Sequence, residues 1–181
     1  PDFPDYQATD NCDANVKVEK QVTNNRSADP KTCNYYSYDI VCKYIATDAC
    51  GNKAAKDLTV TYEIRDEQKP QINISKAWSD SMIVSIYLKH CNFAVPNVTS
   101  FLPSGALTDN CTDGAALKVW QKPALGDTIT SDMLTPDSVN FMGETVSRSL
   151  KVYIYVQDVC GNVDSVVKKV YVPDRQSVVQ I

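Results

Sequence analysis

The sequence predicts an all-β protein made of two tandem domains, and three observations support this. First, Thr-Asp-Asn-Cys occurs at residues 9–12 and again at 108–111, each time followed by Asp-x-Cys-Gly-Asn, at 48–52 and 158–162. Second, apolar residues alternate with polar ones on both sides of the second motif, as in strands with one buried face. Third, no segment carries a helical stripe of apolar residues. A duplicated motif pair in a chain of this length favours two domains.

The strands follow from the alternation around each Asp-x-Cys-Gly-Asn motif. The motif itself is predicted to be a tight turn, because Gly51 and Gly161 allow a backbone conformation that other residues rarely adopt. Many short strands separated by Asn, Asp, Gly and Pro predict a β-sandwich. The predicted inward residues are Ile40, Cys42, Tyr44, Ala46, Leu58, Val60, Tyr62 and Ile64 in the first copy, and Leu150, Val152, Ile154, Val156, Val166, Val170 and Val172 in the second, where Lys168 interrupts the row.

The polar linker at residues 65–70 predicts the domain boundary, with a first domain over 1–67 and a second over 68–174. The second domain has an insertion near 121–147, which is predicted to be a surface loop. The first domain is predicted to lack its first strand. Residues 175–181 are predicted to form a spare strand that pairs with another domain or another copy, through Gln176, Val178, Val179 and Ile181.

Composition narrows the class of protein. An apolar fraction of 43% and a charged fraction of 22% are ordinary for a globular protein. The net charge is −4 and there is no basic cluster, which argues against nucleic acid and acidic membranes as partners. No apolar run is long enough to span a membrane, so membrane insertion is not expected.

Cysteine usage indicates an oxidising, extracellular setting. The chain has seven cysteines, and four of them occupy equivalent places in the two copies. Repeated positions predict two disulfides, Cys12–Cys50 and Cys111–Cys160. Each would join the first motif of a copy to the second.

The remaining cysteines are less regular. A disulfide between Cys33 and Cys42 is predicted across a hairpin, and the alternative is a buried thiol at Cys42. Cys91 has no counterpart and is either a free thiol or a partner for another chain. Structural zinc is disfavoured, because no Cys-x-x-Cys pair occurs and His90 is the only histidine.

Acidic and amide side chains in the motifs predict a structural calcium ion near each motif pair. If the motif cysteines bond, these side chains come together, and calcium takes 6–8 oxygen ligands. The alternative is that Asp and Asn only cap their own backbone in turns. The predicted ligands are Asp10, Asp48, Asn52 and Asp66 in and after the first copy, and Asp109, Asp158, Asn162 and Asp174 in and after the second.

The stretch from "TDNCDANV" through "DIVCKYIATDACGN" to "LTVTYEIRDEQKPQI" resembles the immunoglobulin-like, HYR-related repeats of large secreted surface proteins, especially in Bacteroidetes-type bacteria. The resemblance covers residues 8–72 well and 106–174 less closely. It implies immunoglobulin-like sandwiches in tandem arrays, with roles in adhesion or cell-surface structure and no catalysis.

Sequence patterns also predict glycan attachment. Four Asn-x-Ser/Thr patterns occur, of which Asn73 and Asn97 are the favoured acceptors over Asn25 and Asn110. Four Asp-Ser/Thr-apolar patterns resemble the O-glycan acceptor of Bacteroidetes-type bacteria. Their acceptor residues are Ser81, Thr128, Ser138 and Ser165.

Catalysis is not expected. A Ser-His-Asp or Cys-His site would need His90, and adjacent strand residues such as His90 and Cys91 point to opposite faces. The predicted function is a subunit or segment of an extracellular fibre or surface adhesin, assembled by donor-strand complementation and contacting copies of itself or neighbouring domains. The alternative is a carbohydrate- or protein-binding module, with Trp78 and Trp120 available for a cleft and Tyr153 and Tyr155 outward on a strand.

Overall fold

The structure is a computed structural model that describes residues 1–73, 81–83, 92–141 and 144–173. Over these residues the protein is all-β, with strands joined by turns and short 3₁₀ helices and without an α-helix. None of the helices in this part of the chain could cross a membrane. The all-β class is therefore confirmed, whereas the two immunoglobulin-like sandwiches stay a prediction.

The chain divides into two compact units, Pro1–Glu67 and Gln68–Ile181. The first unit contains one antiparallel sheet in the order β1–β2–β3, formed by Lys17–Asn24, Tyr38–Thr47 and Leu58–Ile64. The central strand β2 pairs with both neighbours along most of its length. The turn between β2 and β3 contains the first Asp-x-Cys-Gly-Asn motif.

The inward face of this sheet is only partly buried. Cys42 and Tyr44 of β2 are buried, whereas Leu58 and Tyr62 of β3 are 46% and 38% exposed. The prediction that the β3 residues are buried is therefore wrong for these two. The reason is that the described residues of the unit provide a single sheet and no second sheet to cover it.

Residues near the N-terminus partly cover that face. The Phe3 ring packs edge-on against Tyr62, and the Tyr6 ring packs edge-on against Tyr44, each with centroids 4.9 Å apart. The Tyr44 hydroxyl donates to the Pro4 carbonyl at 2.7 Å. Burial, together with the Cys42 thiol, raises the pKa of Tyr44 to about 12. These contacts hold the N-terminal residues against β2 and β3.

The second unit is built around one larger sheet. Its long strand β11 pairs with β12 on one side and, on the other, with β10 along its first half and β8 along its second half. Strand β5 pairs with β12 in parallel, and β4–β7 and β6–β9 form two short ladders. The strands are β4 Gln71–Ile72, β5 Ser81–Ile83, β6 Asn92–Ala94, β7 Leu107–Thr108, β8 Lys118–Lys122, β9 Thr128–Thr130, β10 Thr135–Phe141, β11 Glu144–Gln157 and β12 Val163–Pro173.

The core of the second unit lies on the predicted face of β11 and β12. Alternate residues from Leu150 to Val156 and from Lys168 to Val172 are buried, which confirms the predicted alternation, whereas Val166 is only partly buried. The Lys168 side chain lies in the same inward row, and its Nζ is 5.3 Å from the centroid of the Phe101 ring. The core cluster consists of Phe93, Val95, Val98, Ile129, Leu134, Leu150, Val152, Ile154, Val170 and Val172.

The stretch predicted as an inserted loop, residues 121–147, is largely strand. It contains β9, β10 and the start of β11, so the loop prediction is wrong for most of this range. Val139 of β10 pairs with Val146 of β11. The sequence hides this pairing because the register shifts between Pro136 and Val139, which interrupts the alternation.

Candidate functional site

The Asp-x-Cys-Gly-Asn turn of the first copy is closed by its own aspartate and asparagine. The Asp48 amide donates to the Asn52 carbonyl at 3.0 Å, and the Gly51 amide donates to the Asp48 carbonyl at 3.1 Å. The Asp48 carboxylate accepts from the backbone and side-chain nitrogens of Asn52 at 2.7 and 2.8 Å. These hydrogen bonds, the Asn52 side chain first, lower the pKa of Asp48. Gly51 has a φ of 88°, which explains the glycine.

The second copy repeats this turn bond for bond. The Asp158 amide donates to the Asn162 carbonyl at 3.2 Å, and the Gly161 amide donates to the Asp158 carbonyl at 3.3 Å. The Asp158 carboxylate accepts twice from Asn162, at 2.8 Å each, and Gly161 has a φ of 93°. The copies differ in burial, since Asp158 is 5% exposed and Asp48 is only partly buried.

The Thr-Asp-Asn-Cys motifs form a second pair of equivalent turns. The Asp10 carboxylate accepts from the Cys12 and Asp13 amides at 2.8 and 3.1 Å. The Asp109 carboxylate accepts from the Cys111 and Thr112 amides at 3.0 and 2.6 Å. In both copies one oxygen, Oδ1, makes these bonds. Asp10 and Asp109 therefore cap the backbone of their turns, which is the role that the sequence analysis gave as the alternative to calcium binding.

One further hydrogen bond ties the two motifs of each copy together. The Ala49 amide donates to the Asp13 carboxylate at 2.7 Å, and the Val159 amide donates to the Thr112 hydroxyl at 3.3 Å. Each bond joins the residue after the first cysteine to the residue before the second. Sequence reasoning missed Asp13 and Thr112. The available signal was a side-chain acceptor directly after the first cysteine in both copies.

The motif cysteines do not form the predicted bonds. Cys12 and Cys50 are exposed free thiols, and Cys111 is outside any disulfide, with its sulfur accepting from the Asn110 side-chain nitrogen at 3.1 Å. The predicted Cys12–Cys50 and Cys111–Cys160 disulfides are therefore wrong for this structure. The contact that joins the two turns in each copy is the hydrogen bond just described.

The third predicted disulfide is also wrong, because Cys42 is a buried free thiol. Cys33 lies in a 3₁₀ helix before β2, whereas Cys42 lies four residues into that strand, roughly 13 Å along it. Disulfides need Cα atoms within about 7 Å. Cys33 takes part in a disulfide, and so does Cys160. A disulfide is typical of an oxidising compartment.

Two carboxylates of the second copy form the best candidate for a cation site within one unit. Carboxylate oxygens of Asp109 and Asp158 lie within 4.8 Å of each other. The Asp109 Oδ2 atom is buried and has no hydrogen-bond partner among the described residues. Buried polar atoms are normally satisfied, so this oxygen is a candidate ligand for a cation. A hard cation such as calcium fits this oxygen donor set.

The other predicted calcium ligands contribute less. Asn52 and Asn162 direct their side-chain nitrogen to an aspartate, so their amides hold the neighbouring carboxylate. Asp10 is exposed in its turn. Asp66 is buried, and its backbone amide donates to the Ser37 hydroxyl at 2.8 Å. Asp174 lies outside the described residues.

A second candidate surface lies on the outer face of β8 and β11. The register places Trp120 directly opposite Tyr155. Their rings are stacked with centroids 5.4 Å apart, and the Tyr153 ring continues the row 6.3 Å from Tyr155. Tyr153 and Tyr155 thus face outward as predicted, while the cleft partner Trp78 lies outside the described residues. Sequence reasoning missed the lysines next to Trp120, for which the signal is "KVWQK" at 118–122.

The predicted glycan acceptors are mostly accessible. Asn97 is exposed, and Asn73 is exposed with its side chain donating to the Thr108 hydroxyl at 2.8 Å. Thr128, Ser138 and Ser165 are exposed, and Ser81 begins β5. His90, Cys91 and the assembly residues Gln176, Val178, Val179 and Ile181 lie outside the described residues.

Comparison with known proteins adds no family to these observations. The chain matches no protein-family model, and no curated protein is significantly similar to it. The resemblance to immunoglobulin-like repeats therefore continues to rest on the residues that carry it.

Proposed function

We propose that the chain is a non-catalytic structural segment of an extracellular fibre or cell-surface adhesin. The observation that carries this proposal is the three-stranded sheet of the first unit. Its outer strands, β1 and β3, each pair with one neighbour among the described residues. A strand edge without a neighbour presents backbone amides and carbonyls that accept a further strand.

The side chains of this sheet also favour an added strand. Val22, Leu58 and Tyr62 are 55%, 46% and 38% exposed. Apolar side chains next to an open edge are what an incoming strand would cover. A neighbouring domain in a tandem array or a second copy of the chain would stabilise the unit in this way.

Segment 175–181 is the donor strand that we propose. Val179 and Ile181 are two residues apart, so in a strand both would cover the exposed face of another copy, while Val178 would point to the opposite side. Donation from one chain to the next is a head-to-tail contact, which generates an open filament. If the strand serves the next domain of the same chain, the protein is a segment of a tandem array.

Light scattering on the chain and on a version ending at Asp174 distinguishes these cases. A filament subunit forms polymers that disappear on truncation. Val179→Lys should abolish them as well, whereas Gln180→Lys, which adds the same side chain on the opposite face of the strand, should retain most of them. Monomers throughout would refute strand donation between chains. Hydrolytic activity that is lost on substituting His90 would refute the non-catalytic role.

We also propose that the second copy holds a structural calcium ion at Asp109 and Asp158. The buried Asp109 Oδ2 atom supports this, because a carboxylate oxygen without a partner is costly to bury. Two carboxylates within 4.8 Å repel each other unless a cation or a proton lies between them. Backbone carbonyls and water would supply the remaining ligands.

An extracellular location completes the proposal. It rests on the presence of disulfide-bonded cysteines and on the exposure of the predicted glycan acceptors. The expected partners are copies of the chain or neighbouring domains, with glycans attached to its surface. Intact-mass measurement of the protein secreted by its own host checks for glycans, and an unmodified mass would refute their attachment.

A further inference from the structure

A row of aromatic rings and lysines lies on the outer face of the second unit. Side chains at alternate positions of β11 point away from the core, because Val152, Ile154 and Val156 are fully buried on the other face. Tyr153 and Tyr155 therefore lie on the outside, and Tyr153 is 39% exposed.

The rings form a continuous surface across two strands. The planes of Trp120 and Tyr155 differ by 12°, and those of Tyr155 and Tyr153 by 29°. Cross-strand aromatic pairs stabilise a sheet, which accounts for the first contact. It does not account for a third ring that continues the row in the same orientation on an exposed face.

Two lysines flank the row on β8. Lys118 and Lys122 are two residues before and after Trp120, so all three share one face. The Lys118 Nζ is 5.6 Å from the centroid of the Trp120 ring, and the Lys122 Nζ is 6.0 Å from that of Tyr155. Both lysines are exposed, and neither has a carboxylate partner in the part of the chain that the structure describes.

We propose that this row binds an acidic polysaccharide, a glycan chain that carries uronic acid groups. The C–H faces of sugar rings carry a slight positive charge, which complements the negative face of an aromatic ring. Three rings in a row would contact successive sugars along the sheet. The ammonium groups of Lys118 and Lys122 would bind the carboxylates of those sugars.

The lysines decide the class of glycan. A neutral polysaccharide needs rings and hydrogen bonds but no pair of cations, and the chain as a whole is acidic, with a net charge of −4. Cations concentrated beside an aromatic row are therefore complementary to an anionic chain. An acidic peptide would satisfy the lysines but has no flat C–H faces for the rings. This binding role is independent of the proposed strand donation and calcium site.

Affinity electrophoresis through gels containing polygalacturonate tests the proposal. Dextran serves as the neutral polymer and polyglutamate as the anionic polymer without sugar rings. We expect polygalacturonate to retard the protein strongly. Tyr153→Ser, at an exposed position outside the core, should weaken this binding several-fold, and Trp120→Ala about tenfold, the size typical of a central contact residue.

The contribution of the two lysines to binding can be tested with a matched control. Lys118→Gln with Lys122→Gln should weaken polygalacturonate binding, whereas Lys53→Gln with Lys56→Gln, which removes the same charge from exposed sites in the first unit, should not. No retardation, or retardation unchanged by Tyr153→Ser, would overturn the proposal. Equal retardation by polyglutamate would show binding to any polyanion and would overturn the sugar assignment. A Trp120→Ala variant that changes the solution mass instead would identify the row as a contact between copies.

Discussion

Removing calcium should destabilise the second unit while leaving the first unit unchanged. The buried Asp109 Oδ2 atom lies in a carboxylate pair whose repulsion a cation would relieve. Extracellular calcium modules bind with dissociation constants of about 10⁻⁴–10⁻³ M. At about 10 mM calcium, a site in this range stabilises the folded unit by about 1.4–2.7 kcal/mol. This corresponds to a rise in Tm of about 6–11 °C for a unit of this size.

Asp109→Asn is the informative variant, because it retains an oxygen for the Cys111 and Thr112 amides and removes the charge. In EDTA we expect the variant to be at least as stable as the wild type, since the repulsion with Asp158 is gone. Calcium should raise the Tm of the wild type and should not raise that of Asp109→Asn. The matched control is Asp10→Asn, which changes an aspartate with the same two backbone contacts at an exposed site.

Tryptophan fluorescence during thermal unfolding measures this effect. Both tryptophans of the chain, Trp78 and Trp120, belong to the second unit, so the signal reports that unit alone. Samples without calcium receive sodium chloride to the same ionic strength. A wild-type Tm that calcium does not raise would refute the reasoning. So would an Asp10→Asn variant that loses the calcium response to the same extent as Asp109→Asn.

Three further perturbations test other parts of the molecule. Gly51→Ala and Gly161→Ala should each destabilise their unit by about 1 kcal/mol, because both glycines have positive φ and space for a methyl group; calorimetry that shows no loss would contradict the strain argument. The raised pKa of Tyr44 favours the folded state below pH 10, and this contribution should be lost as the pH rises from 10 to about 12, which chemical denaturation at each pH measures. A hydrogen bond from Lys169, at 2.7 Å, lowers the pKa of Asp137, so Lys169→Met should reduce the loss of stability seen on acidification below about pH 4; an unchanged pH profile would refute a stabilising role for the pair.

Local patterns predicted the turns and the core of the second unit because the cause lies in the nearby sequence. Gly51 and Gly161 have positive φ as expected, and alternate residues of β11 are buried. A buried face repeats with period two whatever the distant chain does. These features could therefore be predicted from the local sequence without information on the tertiary packing.

Features that depend on distant packing could not be predicted in the same way. Leu58 and Tyr62 have the pattern of a buried face, yet they are exposed because the described part of the first unit has one sheet. Cys42 follows Cys33 closely in sequence, yet the extended strand carries it away. The aromatic row on the second unit depends on the register that places Trp120 opposite Tyr155. An alternating pattern shows which side chains share a face of the strand, but it does not show which other part of the chain packs against that face.

The two copies of the motif pair differ in a way that distinguishes the role of their aspartates in folding from a role in binding. Asp10 and Asp109 cap the same two backbone amides, and both copies close the second turn with an Asp–Asn pair. These contacts are local, so they are sufficient to explain why both copies contain the motifs. Burial is what differs, because Asp158 is 5% exposed and the second oxygen of Asp109 has no hydrogen-bond partner among the described residues. Desolvation makes that oxygen costly without a ligand, which is why we propose a cation site in the second copy alone, while the turn is common to both copies.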